Sequence, residues 1–190
     1  MSAGRDIGSD TFEALELCEH IRFYLDLFRA LNAEGLRAAS PLVQLTDLRI
    51  TESLLASAGI SRADLRASVR AHVPGSGEHF LRQRGVELPA DLRDLRPYPS
   101  LVRLQETVVA PLHAGYPEAE FRFNLARLEG LGYYSGFCLR ISPVAPDGVR
   151  YPAADGGFTE WTARLLADKK ERLLITGIGS EFMCRRYRAE

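Results

Sequence analysis

The chain has 190 residues, 46% hydrophobic and 26% charged, enough to bury one core at the size of a single domain. Its 24 Lys and Arg against 25 Asp and Glu leave a formal net charge of −1, which argues against nucleic acid as a partner. Cys18, Cys138 and Cys184 are far apart and lack CxxC spacing, so neither a disulfide framework nor a zinc site is expected. No apolar run approaches the roughly 18 residues of a membrane span, and Met1 to Asp6 open no apolar leader; the expectation is a soluble, cytoplasmic chain without membrane contact.

From Asp10 the apolar positions Ala14, Leu17, Cys18, Ile21, Tyr24, Leu25, Phe28 and Leu31 recur at helical spacing, behind Asp10 as N-cap with Glu13 three residues on. Gly35 ends this helix. Leu42-Val43-Gln44-Leu45 reads as a short strand. Thr51 caps a small helix through Leu54, Leu55 and Ala58 that stops near Gly59, and Ser61 with Asp64 opens another.

Residues 61–115 hold short helical patterns broken by Pro74-Gly75-Ser76-Gly77, Gly85 and Pro97. The cleanest runs from Ser100 through Leu101, Leu104, Val108 and Leu112. This predicts a helical insertion inside a single domain spanning 1–190. Beyond Pro117 the period changes: Phe121, Phe123 and Leu125 alternate with Arg122 and Asn124, as in a half-buried strand.

Phe137 to Ile141 and Val149 to Ala153 form a predicted hairpin around residues 143–148. A helix follows with Trp161, Leu165 and Leu166 on one side and Trp161 in the core. Lys169-Lys170-Glu171-Arg172 reads as a solvated turn before the strand Leu173-Leu174-Ile175-Thr176. Ser180 caps a last helix carrying Phe182, Met183 and Arg186. Apolar surroundings mark Cys138 and Cys184 as buried, inert thiols. His20, His72, His79 and His113 are scattered, which argues against a metal cluster.

Three segments stand in a fixed order: Leu128-Glu129-Gly130-Leu131-Gly132-Tyr133-Tyr134-Ser135-Gly136, then Asp155-Gly156-Gly157, then Ile175-Thr176-Gly177-Ile178-Gly179. In that order they resemble the C-terminal half of the class II histidyl-tRNA synthetase catalytic domain and its non-catalytic relative, the regulatory subunit of ATP phosphoribosyltransferase. The matching family segments are an Arg-Gly-Leu-Asp-Tyr-Tyr-Thr-Gly strand entry, a Gly-Gly-Arg-Tyr turn and a Gly-rich strand leading into an Arg-bearing helix. Ile7-Gly8-Ser9-Asp10 resembles the segment that leaves the family's second motif. The first and second motifs themselves have no counterpart here.

The resemblance implies an α+β fold: part of a class II synthetase-like antiparallel sheet flanked by helices, with the insertion at about 61–115. It also implies a ligand site at Tyr133, Tyr134, Gly136, Glu129, Gly156, Gly157, Gly177 and Gly179, with Tyr134 the foremost contact to an amino acid. Departures from the pattern bear on chemistry. Glu129 stands where the synthetase has an Arg that stabilises the acyl-phosphate transition state, and a carboxylate cannot do that. Gly132 replaces an Asp near the substrate ammonium, and Phe158 replaces the Arg of the Gly-Gly turn. Matching Gly177 puts Cys184 close to the ATP-binding Arg position and leaves Arg185 and Arg186 offset, at about 100° of rotation per residue. No catalytic residue, metal or cofactor is therefore expected, and ATP binding is in question.

The resemblance implies a regulatory subunit of ATP phosphoribosyltransferase that binds histidine or a related amino acid. Its partner would be the catalytic subunit or a chain supplying the missing N-terminal half. A half-sheet exposes an unpaired edge, so a homo- or hetero-oligomer is expected. Two alternatives stay open: a synthetase paralogue or split-enzyme subunit activating an amino acid or another carboxylate, and a structural interaction protein with a vestigial pocket.

Overall fold

The computed structural model describes residues 10–60, 76–88, 92 and 94–188. The expected helix opened by Ser61 and Asp64, His72, Pro74-Gly75 and Ile7-Gly8-Ser9 lie outside them. Helix α1 (Asp10–Ala33) buries Ala14, Leu17, Cys18, Ile21, Tyr24, Leu25 and Phe28, the stripe that a 3.6-residue period selects. Gly35 at φ +94° terminates it, letting Leu36 N donate back to the Leu31 carbonyl at 3.0 Å. Each large apolar side chain so buried contributes about 1.5–3 kcal/mol.

Strand β1 (Ala39–Asp47) runs longer than the sequence pattern suggests and leads directly into α2 (Leu48–Ser57). Asp47, not Thr51, is the cap: its carboxylate accepts from Arg49 N at 3.0 Å. Thr51 is buried inside the helix, where its hydroxyl donates to the Leu125 carbonyl at 3.1 Å.

In the insertion, α3 (Ser76–Gln83) contributes Leu81 to a small apolar cluster with Leu55, Ile60, Val86 and Leu128. The helix expected from Ser100 is present in three parts: α4 (Pro99–Leu104), a π-helical stretch Gln105–Val109 and α5 (Ala110–Gly115). Pro111 explains the wider turn, because its ring displaces the carbonyl four residues back and it has no N–H to offer. The inner face of this helix adds Leu101, Leu104, Val108 and Leu112 to the α1 core.

Five strands form one sheet in the order β2-β1-β3-β4-β5, with β2 (Glu120–Phe123), β3 (Phe137–Val144), β4 (Ala154–Thr159) and β5 (Leu173–Ile178). It is antiparallel except for β1 and β2, which pair parallel with Leu42 opposite Glu120 and Leu45 opposite Phe123. Strand β2 stops at Phe123, and Leu125 is buried just beyond it. The result is an α+β architecture, a mixed sheet flanked by helices.

The hairpin after β3 exists, but its second strand is β4, not Val149–Ala153. That stretch makes one isolated bridge, Arg150 to Val144, and two further backbone bonds, Ala145 N to the Val149 carbonyl and Ala153 N to the Ile141 carbonyl, without forming a strand. The Tyr151 carbonyl is satisfied instead by the Tyr187 hydroxyl at 2.8 Å. Gly156 and Gly157 therefore sit within a strand rather than in a turn.

Alternation splits the sheet into two faces. Val43, Leu45, Phe137, Leu139, Ile141, Ala154 and Phe158 pack under α1, so Phe158 is core. Cys138, Arg140, Asp155 and Gly157 lie on the other face. After β4, α6 (Trp161–Leu165) is short, and Trp161, Leu165 and Leu166 are all exposed, contrary to the expected core helix. The closing helix α7 (Ser180–Arg186) has Gly179 as its cap residue, with Ser180 already inside. Among the described residues no helix is long and apolar enough to cross a membrane.

Candidate functional site

The site is built on the loop between β2 and β3. Asn124 opens it by accepting from Ala126 N at 3.0 Å, and Gly130 and Gly132 hold φ of +89° and +81°. Those angles strain any side chain with a Cβ, so glycine lets the chain double back, with Tyr134 N donating to the Gly130 carbonyl at 2.8 Å. Ser135 N then docks the loop on the Phe158 carbonyl at 2.7 Å.

This turn lays Tyr134 across the sheet. A Cβ at Gly130 would stand 2.4 Å from the Tyr134 ring, and one at Gly157 would stand 2.8 Å from it and 2.6 Å from Cys138 Sγ. The glycine in β4 is thus a seat for an aromatic ring. Tyr134 Oη donates to Asp155 Oδ1 at 3.3 Å, and burial together with the Asp155 charge pushes the phenol up to about 12.

Around Asp155 lies a network of paired charges. Arg127, buried, donates to both Asp155 oxygens at 2.8 and 3.0 Å, to the Leu139 carbonyl at 2.9 Å and to the Glu129 carbonyl at 3.0 Å. Arg140 donates to Asp155 Oδ2 at 3.0 Å and approaches Glu129 Oε1 at 3.5 Å. Burial alone would raise the Glu129 carboxyl, but a backbone N–H and the two arginines outweigh it and hold the group below its ordinary value.

Of the expected site residues, Tyr133, Tyr134, Glu129 and Gly157 come together here, with Gly177 opposite Asp155 on the same face. Gly156 lies on the α1 side, where a Cβ would meet Thr176 at 2.5 Å. Gly179 sits toward the far end of β4, its N–H on the Ala153 carbonyl at 3.1 Å. Gly136 enters β3 at φ +108° beside Glu13.

The arginines after β5 stay away from this face: Arg185 pairs with Glu181, and Arg186 stacks over Tyr151. Cys184 is exposed, not buried, because it lies on the outer side of α7. Burial pushes the Cys138 thiol up to about 12.

Beside the loop, at the strand ends, a cleft of about 260 Å³ is lined by Glu13, Arg49, Tyr133, Trp161, Arg164 and Arg172. Arg172, expected in a solvated turn, instead donates to the buried Glu13 carboxylate at 3.1 Å. Burial pushes that carboxyl up to about 7 against the pull of Arg49 and Arg172.

Sequence reasoning did not single out Arg127, Arg140 or Arg172 for the site and took Glu13 for a capping partner. One signal was available: Glu13 lies four residues before Leu17, on the buried stripe of α1. His20 bonds Thr176 and His79 bonds Gln83, while His113 packs edge-on against Phe121. Among the described residues no cluster of side chains could hold a metal ion.

The site offers aromatic surface and paired charges. No family model and no curated protein matches the sequence. Among solved structures, the chain is similar to apo histidyl-tRNA synthetase from S. aureus, at 12% identity and TM-score 0.43, covering 94% of this chain and 44% of that one. It is also similar to a chain of the ATP phosphoribosyl transferase (HisG:HisZ) complex from Thermotoga maritima, at 15% identity and TM-score 0.49; the match covers 90% of this chain and spans 62% of the other's length.

Proposed function

We propose that this chain is a non-catalytic, histidyl-tRNA synthetase-like protein, a regulatory subunit of ATP phosphoribosyltransferase in histidine biosynthesis. It binds histidine or a related amino acid at the tyrosine loop and associates with a catalytic subunit. The observation that carries the reading is the charge around that loop. Glu129 stands in place of the activating Arg, and all three guanidinium nitrogens of Arg127 are engaged, by Asp155 and two carbonyls. Both guanidinium groups of this network already pair with carboxylates. Feedback through such a subunit requires histidine to bind one assembly state better than another.

The test is a pull-down from the native host, followed by histidine titration of the recovered complex. Histidine should raise its thermal midpoint, Tyr134→Ala should abolish that effect and Glu129→Ala should leave it largely intact. Pyrophosphate exchange above background, or equal affinity for wild type and Tyr134→Ala, defeats the reading.

A further inference from the structure

Away from the tyrosine loop, the chain gathers positive charge at the end of the sheet where β1 begins and β3 ends. Arg37 N donates to the Tyr187 carbonyl at 2.6 Å and Leu36 bridges Arg188, so the turn after α1 and the tail of α7 run side by side. Tyr187, fully buried, fixes that junction: its hydroxyl donates to the Pro143 and Tyr151 carbonyls at 3.1 and 2.8 Å. Arg185, Arg186 and Arg188 flank this anchor in sequence, and the junction brings Arg37 to them.

The four arginines line a basin of about 880 Å³ together with Asp147 and Cys184. Arg185 pairs with Glu181, and Arg186 lies over the Tyr151 ring at 5.2 Å. Arg37 and Arg188 are exposed, and among the described residues no side chain meets either guanidinium. The acid in the wall is already engaged: Asp147 accepts from Val149 N at 2.9 Å and from Tyr151 Oη at 2.8 Å. Four guanidinium groups thus face two carboxylates, Asp147 and Glu181, in a chain whose formal net charge is −1.

A single exposed ion pair contributes little and is screened by salt, so a ligand with one charge gains almost nothing here. Guanidinium forks match phosphate oxygens two at a time, and several can share one chain of linked phosphates. A nucleic-acid strand would need ring faces on which to stack, but Tyr151 is covered by Arg186 and packed edge-on by Phe182. We propose that this basin binds a small polyphosphate, a molecule carrying two or more linked phosphate groups, with Arg37 and Arg188 as its principal donors and Arg185 and Arg186 beside them. The assignment does not depend on the regulatory role, because it uses none of the tyrosine-loop residues.

Inorganic tripolyphosphate, orthophosphate, citrate and a single-stranded oligonucleotide are titrated calorimetrically onto the full-length protein at fixed ionic strength. Tripolyphosphate should bind saturably, at least about tenfold tighter than orthophosphate or citrate, and the double variant Arg37→Gln, Arg188→Gln should weaken it at least about tenfold. Both side chains are exposed, so the double variant keeps the fold. Arg164→Gln, in the cleft beside the tyrosine loop, should leave the affinity unchanged. Bound tripolyphosphate should also slow iodoacetamide labelling of Cys184, which lines the basin, and the double variant should lose that protection. No saturable binding, equal affinity for orthophosphate or citrate, tighter binding of the oligonucleotide, unchanged affinity in the double variant, or an unprotected Cys184 overturns the proposal. Failure of histidine to act on the complex, with tripolyphosphate binding intact, would count against the regulatory role alone.

Discussion

Arg127 clasps Asp155 through two N–H···O contacts, at 2.8 and 3.0 Å, from a position only 3% exposed. Asp155 is itself more than a third exposed, so Arg127→Met leaves it to Arg140, Tyr134 and water, and the larger cost is two carbonyls without their donors. The expected loss is about 1–3 kcal/mol, read as a lower urea midpoint at unchanged slope. Unchanged stability would mean that the network contributes nothing net to folding.

Two glycines make a matched comparison. A Cβ at Gly157 collides with Cys138 Sγ and the Tyr134 ring, whereas one at Gly177 meets nothing within 4 Å. Gly157→Ala should cost about 1–3 kcal/mol by overpacking, and Gly177→Ala should stay within about 0.5 kcal/mol of wild type. Equal melting temperatures for the two variants would refute the seat described for Tyr134.

Glu13 predicts a pH dependence with a definite sign. Burial pushes its carboxyl up to about 7 in the fold from an ordinary value near 4.5, with Asp10, Arg49 and Arg172 the charges that face it. Between those values the native state holds the extra proton, so its contribution is fully present below the unfolded pKa and is lost as pH rises through about 7. The difference is about 3 kcal/mol. Glu13→Gln should flatten that part of a stability-against-pH curve; an undiminished slope would assign it to other groups.

The thiols should separate by access. Iodoacetamide on the native protein should label Cys184 alone, leaving Cys18 and Cys138 for the unfolded chain. Mass spectrometry of the digested product checks this, and rapid native labelling of Cys138 would contradict its burial.

Helix α1 and strand β3 were legible because one period governs each over many residues. Strand β4 was not. Two consecutive glycines read as a turn, and nothing local reveals that a tyrosine ring and a neighbouring strand need the space their side chains would fill. Thr51 looked like a cap because the end of β1 was read short, which hid Asp47. The tyrosine loop was visible as a motif, whereas its electrostatics came from Arg127, Arg140 and Asp155, whose partners are far apart in sequence. Trp161 looked like core on composition alone, and only the shortness of α6 leaves it exposed at a cleft.

The parallel pairing of β1 with β2 carries a kinetic consequence. Strands β3, β4 and β5 follow one another by short reversals, but β2 reaches its place beside β1 only after residues 48–119 have returned the chain to the starting end of the sheet. The entropy lost in closing such a circuit grows only with the logarithm of its length. Additions or deletions along that excursion should therefore leave the register of the outermost strand untouched while altering how long it takes to arrive.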